Sequence, residues 1–171
     1  MRVTLGEINR MSREAFVEAL GGIFEHSPWV ADAVYDAAPF PTVQALHQAM
    51  MLSVRQAGEQ RQTALFRAHP DLATRLQVSG LSAAEQRGAG LDRLSPEEFV
   101  CFTRINREYV NKFAFPFIMA VRGKTKGDIM AAMRQRIDRS SEEERAQALD
   151  EIEQITRFRL ADFIEDNRED E

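Results

Sequence analysis

Ser95-Pro96-Glu97-Glu98 is a complete helix-start signal, and Phe99, Phe102, Ile105, Tyr109 and Phe113 follow it at spacings of three and four. A serine cap and a glutamate three residues later satisfy each other's backbone donors, and proline fits the first helical position. The spacing lays one apolar stripe along a helix, which must be buried against other elements. Almost every other segment of the chain also has helical rather than strand character. Ser12 caps a run through MSREAFVEALGGIF, which Gly21 and Gly22 loosen at its end. The Pro-rich APFPT separates the short segment after Ser27-Pro28-Trp29 from a helix near Thr42 to Ala57, and another helix runs from about Glu59 to Ala68. Ser141-Glu142-Glu143-Glu144 repeats the capping-box pattern and opens a long final helix reaching roughly Ile164. Ser79 to Asp92 carries three glycines and reads as a loop with a helical turn inside it. The expected fold is all-α, one compact multi-helix domain over residues 1–171, with 165–171 a frayed acidic tail.

The bulk properties exclude several classes. A net charge of −5 lacks the basic footprint of general nucleic-acid binding. No run of about 18 apolar residues offers a membrane-spanning helix. The beginning MRVTLGEINRM has no basic-then-apolar signal pattern, and the final residues carry no Ser-Lys-Leu address. The single cysteine, Cys101, fits a reducing compartment, and beside Phe99 and Phe102 it reads as a small buried hydrophobe. A cytoplasmic protein with neither nucleic-acid nor membrane partner is the simplest reading.

Three features exceed what a plain helical bundle needs. In Arg67-Ala68-His69-Pro70-Asp71-Leu72-Ala73, proline disfavours the α region for His69, so the helix ends there and presents an imidazole at its negative terminus. That position suits a proton donor, and it equally suits a structural cap. His26, beside a Ser-Pro turn, and His47, on a polar helix face, read as structural. Arg159 shares a stripe with Ile152, Ile155 and Phe163, whereas Arg157 falls off that face. A guanidinium there needs an internal carboxylate, an anionic ligand, or a path out of the groove. In FAFPFIMAVRG, Pro116 breaks helical geometry, and the freed backbone groups of Phe117 to Val121 must find partners among apolar side chains. A polar heterocycle could be one such partner; an ordinary buried crossing segment is the other reading. Metal-ligand spacings, a P-loop and a dinucleotide fingerprint are all missing from the sequence.

Taken together, the motifs resemble one family. HPDL at His69 to Leu72, SxxEQ at Ser82 to Gln86, AGL at Ala89 to Leu91, the N-x-x-Y of Asn106 and Tyr109, FPFIMAVRG, and the Arg159-Leu160 pair look like OHCU decarboxylase. That family decarboxylates 2-oxo-4-hydroxy-4-carboxy-5-ureidoimidazoline (OHCU) to (S)-allantoin in urate degradation. The resemblance implies an all-helical homodimer that uses neither metal nor organic cofactor. It places the proton-donor histidine on His69 and the catalytic glutamate on Glu85. It places substrate contacts on Pro70, on Ser82, Ala83, Ala84 and Gln86, on the backbone of Phe117, Ile118, Met119, Ala120 and Val121, and on Arg159. Two departures stand out: the connector between HPDL and SxxEQ is a few residues shorter than in some relatives, and Ala114 replaces the usual glycine. The alternative readings are a non-enzymatic helical interaction module using the FAFPFIMAV surface, and a binder of a related ureido or hydantoin-like acid.

Overall fold

The computed structural model describes residues 2–73 and 80–165. In chain order these form β1 (Val3–Thr4), α1 (Leu5–Ile8), α2 (Arg13–Leu20), α3 (Trp29–Val34), a 3₁₀ turn (Tyr35–Ala37), α4 (Val43–Gln56), α5 (Glu59–Ala68), α6 (Gly80–Gly88), α7 (Pro96–Phe113), α8 (Lys126–Arg136), α9 (Ser141–Phe163) and β2 (Ile164–Glu165). The protein is predominantly α-helical, as the capping and periodicity require. Two compact units are distinguished: Met1–Leu65 with Glu153–Glu171, and Phe66–Ile152.

In the first unit, side-chain caps start the helices where the sequence places them. Ser12 Oγ accepts from Ala15 N (3.3 Å) and Thr42 Oγ1 from Ala45 N (3.0 Å). Phe16, Leu20, Leu46, Met50 and Val54 supply a core that is at most 1% exposed. The short β1 and β2, which the sequence did not announce, pair in parallel with Val3 opposite Ile164 and Thr4 opposite Glu165. Arg2 donates to the carbonyls of Ala161 (2.8 Å) and Asp162 (3.0 Å), a cationic cap on the end of α9. Residues 166–171 of the expected acidic tail lie outside the described residues.

The second unit is organised by α7. Ser95 and Glu98 form the reciprocal capping box, and Phe102, Ile105, Tyr109 and Phe113 are buried while Phe99 is half-buried. Phe113, Phe115 and Phe117 surround Tyr109 at centroid distances of 4.5, 6.0 and 5.4 Å, and Phe66 joins Phe115 at 5.0 Å. The alternating phenylalanines of FAFPF therefore belong to one aromatic cluster. Cys101 is half-buried rather than fully buried.

Three local expectations change. The stretch read as a loop contains the nine-residue helix α6. Its glycines stand near the ends, and Leu81 to Arg87 between them are mostly good helix formers, so Ser82 lies inside the helix. The second capping box uses Ser140 and Glu143, one residue earlier than expected: Ser140 N donates to Glu143 Oε2 (3.0 Å) and Glu143 N to Ser140 Oγ (3.1 Å). Helix α8, opened by a Thr125–Asp128 capping box, was not anticipated.

Candidate active site

Helix α5 stops at Ala68, the residue before His69, as Pro70 demands. His69 N still donates to Phe66 O (3.2 Å), so the imidazole leaves the last turn of the helix, half-buried beside the half-buried Pro70. The chain then turns through Ala73 with a φ of 59°, the left-handed region. Residues 74–79, the connector noted as short, lie outside the described residues.

This turn is clamped from two helices. Gln86 of α6 accepts from Ala73 N at Oε1 (3.0 Å) and donates from Nε2 to Asp71 O (3.4 Å). Asn106 of α7 donates from Nδ2 to Leu72 O (2.7 Å). Three consecutive residues after Pro70 thus have a backbone group held by a buried amide side chain. Burial also pushes the Asp71 carboxyl above its ordinary range. Glu85 precedes Gln86, so the clamp joins the His69 segment to the helix that carries Glu85. On α6, Ser82 and Gln86 are buried, Ala83 and Glu85 half-buried, and Ala84 exposed.

The FPFIMAV segment follows Ala114, which caps α7 with a φ of 63°. Arg67, near the end of α5, donates from Nε to Ala114 O (2.9 Å). Several backbone groups freed by Pro116 find partners in the protein: Arg136 Nη1 donates to Ile118 O (2.8 Å), Ala120 N donates to Glu151 Oε2 (2.9 Å), and Lys124 N to Val121 O (3.0 Å). Phe117, Ile118, Ala120 and Val121 are buried, and Met119 is half-buried. Arg136 is itself fixed by Glu144, whose Oε1 accepts from Arg136 Nε (2.7 Å) and from Tyr109 Oη (2.6 Å). Burial, with the hydrogen bond to Glu144, pushes the Tyr109 phenol well above its ordinary range, so it serves as a neutral donor.

These contacts bring together the His69 turn, α6 and the 114–121 segment within one unit. Arg159 belongs to the other unit. There it is 4% exposed, and its Nη1 donates to Ile23 O (3.1 Å) and Glu25 Oε2 (3.1 Å). Of the partners open to it in the sequence, the internal carboxylate is present. Arg157 is exposed, as its place off the stripe requires. His47 lies on the buried face of α4 rather than a polar one, because its Nε2, 2.9 Å from Thr156 Oγ1, has a partner inside; His26 has an exposed side chain. Among the described residues, no cluster of three or more His, Cys, Asp or Glu is placed to hold a metal ion, and no helix is long and apolar enough to cross a membrane.

Sequence reasoning missed Arg136, Glu144 and Glu151 as holders of this segment. A signal existed for the first: Ile129, Met133 and Arg136 are all buried on α8 at spacings of four and three, the logic that marked Arg159. Little amphipathic contrast along the rest of α8 hides that spacing in the sequence. Glu144 was instead absorbed into a capping box that lies one residue earlier.

The OHCU decarboxylase family model matches residues 9–161. The 2-oxo-4-hydroxy-4-carboxy-5-ureidoimidazoline decarboxylase of Halalkalicoccus jeotgali is 43% identical over 95% of this chain and 92% of its own length. The protein of the same name from Haloferax volcanii is 43% identical over 94% of this chain and 95% of its own. A solved structure of (S)-allantoin synthase superposes with a TM-score of 0.79 at 30% identity, covering 95% of this chain and 54% of that one. With the motifs, the clamped histidine turn and these likenesses in agreement, the chain belongs to the OHCU decarboxylase family.

Proposed function

We propose that this protein is a carboxy-lyase that decarboxylates OHCU to (S)-allantoin in urate degradation, with His69 and Glu85 as its catalytic residues. The observation that carries the assignment of these residues is the Gln86 clamp, which ties the backbone beyond His69 to the helix bearing Glu85. In the reaction the bond between ring carbon C4 and the carboxylate breaks and carbon dioxide leaves. The electron pair forms a C4=C5 double bond while the C5=N π pair moves onto the ring nitrogen, which takes up one proton to give an enaminol; loss of the 4-hydroxyl proton and protonation of C5 then give allantoin. Because the ring stores the pair, the chemistry calls for neither an organic cofactor nor a metal.

His69 manages the proton at the C4 side from the end of α5, and Glu85 orients the substrate or holds the imidazole in a useful tautomer. Pro70, together with Ser82, Ala83 and Ala84 on α6, lines the substrate. Gln86 is committed largely to the turn, which leaves it one amide hydrogen at Nε2 and one lone pair at Oε1 for the substrate. The backbone of Phe117, Ile118, Met119, Ala120 and Val121 reads the urea-like donors and acceptors, in the conformation that Arg136 and Glu151 give it. The family resemblance also assigns Arg159 a substrate contact. The same resemblance supports a homodimer, and the single cysteine supports a cytoplasmic location.

The test is to generate OHCU in situ from urate with urate oxidase and the hydrolase that follows it, then add this protein and follow circular dichroism. Rapid accumulation of (S)-allantoin above the racemic background is expected. Decay identical to the protein-free control, with the protein folded, would overturn the assignment.

A further inference from the structure

Asn106 and Tyr109 lie three residues apart on the buried face of α7, and each starts a hydrogen-bond path that ends on a carbonyl of a different site segment. Asn106 reaches the turn after His69 directly, at Leu72 O (2.7 Å). Tyr109 reaches the 117–121 segment through two side chains: Tyr109 Oη to Glu144 Oε1 (2.6 Å), Arg136 Nε to that same oxygen (2.7 Å), and Arg136 Nη1 to Ile118 O (2.8 Å). The Arg136 guanidinium also lies 4.2 Å from the centre of the Phe117 ring, so it grips adjacent residues of the segment in two ways. Asn106, Tyr109, Arg136 and Glu144 are all at most 5% exposed.

Stability alone does not explain these polar groups in an apolar stripe. Among the described residues, Asn106 Oδ1 and Arg136 Nη2 are buried without a hydrogen-bond partner, a cost that an apolar side chain would avoid. Phenylalanine at 109 or leucine at 106 would fill nearly the same space. What the polar versions add is one fixed carbonyl in each segment.

We infer that α7 sets the register between the His69 turn and the 117–121 segment, with Asn106 and Tyr109 as positioning residues for the two halves of the site. Asn106 governs where His69 stands, and so acts on proton handling. Tyr109, through Glu144 and Arg136, governs the backbone that reads the substrate, and so acts on binding. This division rests on the proposed roles of the two segments.

Shape-conserving variants of the full chain separate the two paths. Asn106→Leu is expected to lower kcat by about tenfold with little change in KM, and Tyr109→Phe to raise KM by about tenfold with little change in kcat, since small displacements of oriented groups cost rate on this scale. Hydrogen exchange is read in parallel over residues 66–73 and 113–123. Faster exchange confined to the first segment in Asn106→Leu, and to the second in Tyr109→Phe, is expected. If Tyr109→Phe fails to fold, Arg136→Lys weakens the same path one bond later. Kinetic constants that move together in step with melting temperature, or exchange that rises in both segments or in neither, would overturn the inference. If wild-type protein does not turn OHCU over, the decarboxylase assignment fails, and the exchange pattern alone decides whether the anchors act separately.

Discussion

Arg159 Nη1 stands 3.1 Å from Glu25 Oε2, and the two side chains are 3% and 1% exposed. Such a pair is expensive to break from one side, because the surviving charge stays buried; losses of about 3–5 kcal/mol are usual. Arg159→Met should therefore lower unfolding free energy by about that amount. Adding Glu25→Gln to the same chain should restore a large share of the loss. Denaturant unfolding of the two single variants and the double variant tests this. Additive losses in the double variant would contradict the coupling.

His47 gives the folded protein a dependence on acidity. Burial is the largest influence on its imidazole and lowers its pKa from the ordinary 6.5. The unfolded chain then binds a proton that the folded chain does not, so stability falls as pH drops from about 6.5 through the folded value, and is constant above 6.5. Asp71 works in the opposite sense at lower pH: burial raises its pKa from 3.8, so its contribution is lost as pH rises through that region. Replacing His47 with Gln, which keeps an amide donor for Thr156, should flatten the decline of melting temperature just below pH 6.5. An unchanged profile would show that other groups set it.

Ala114 occupies a left-handed backbone conformation with an exposed side chain. That conformation costs a non-glycine residue about 1–2 kcal/mol, and the greater freedom of glycine in the unfolded chain offsets roughly 0.5–1 kcal/mol of the gain. Ala114→Gly should thus stabilise the protein by about 0.5–1 kcal/mol, read as a rise in melting temperature. A fall would mean that the turn tolerates alanine without strain.

The sequence made the helices legible wherever a cap and a stripe coincided. Ser12, Thr42 and Ser95 start helices as their side-chain chemistry dictates, and of the readings open to Arg159 the buried pair with a carboxylate is the one present. It failed where one of the two signals was weak. The glycines bracketing α6 hid a helix because they flank good helix formers. Helix α8 has little amphipathic contrast, so Arg136 was never placed on a face. His69 and the 117–121 segment stood out in the sequence at a helix end and at a break, whereas Glu85, inside α6, was marked only by the family resemblance. What holds them was not legible, because Gln86 to Ala73, Asn106 to Leu72 and Arg136 to Ile118 are contacts across 13, 34 and 18 residues that no local pattern encodes.

The most direct measurement compares His69→Ala with wild-type protein in the circular-dichroism assay on OHCU made in situ. Loss of an acid/base group costs about 10²–10⁴ in rate. The variant should keep its fold and fall to a rate near that of spontaneous decay, yielding racemic allantoin where the wild type yields the (S) form. A folded His69→Ala protein that still produced (S)-allantoin at the wild-type rate would contradict the assignment of proton handling to His69.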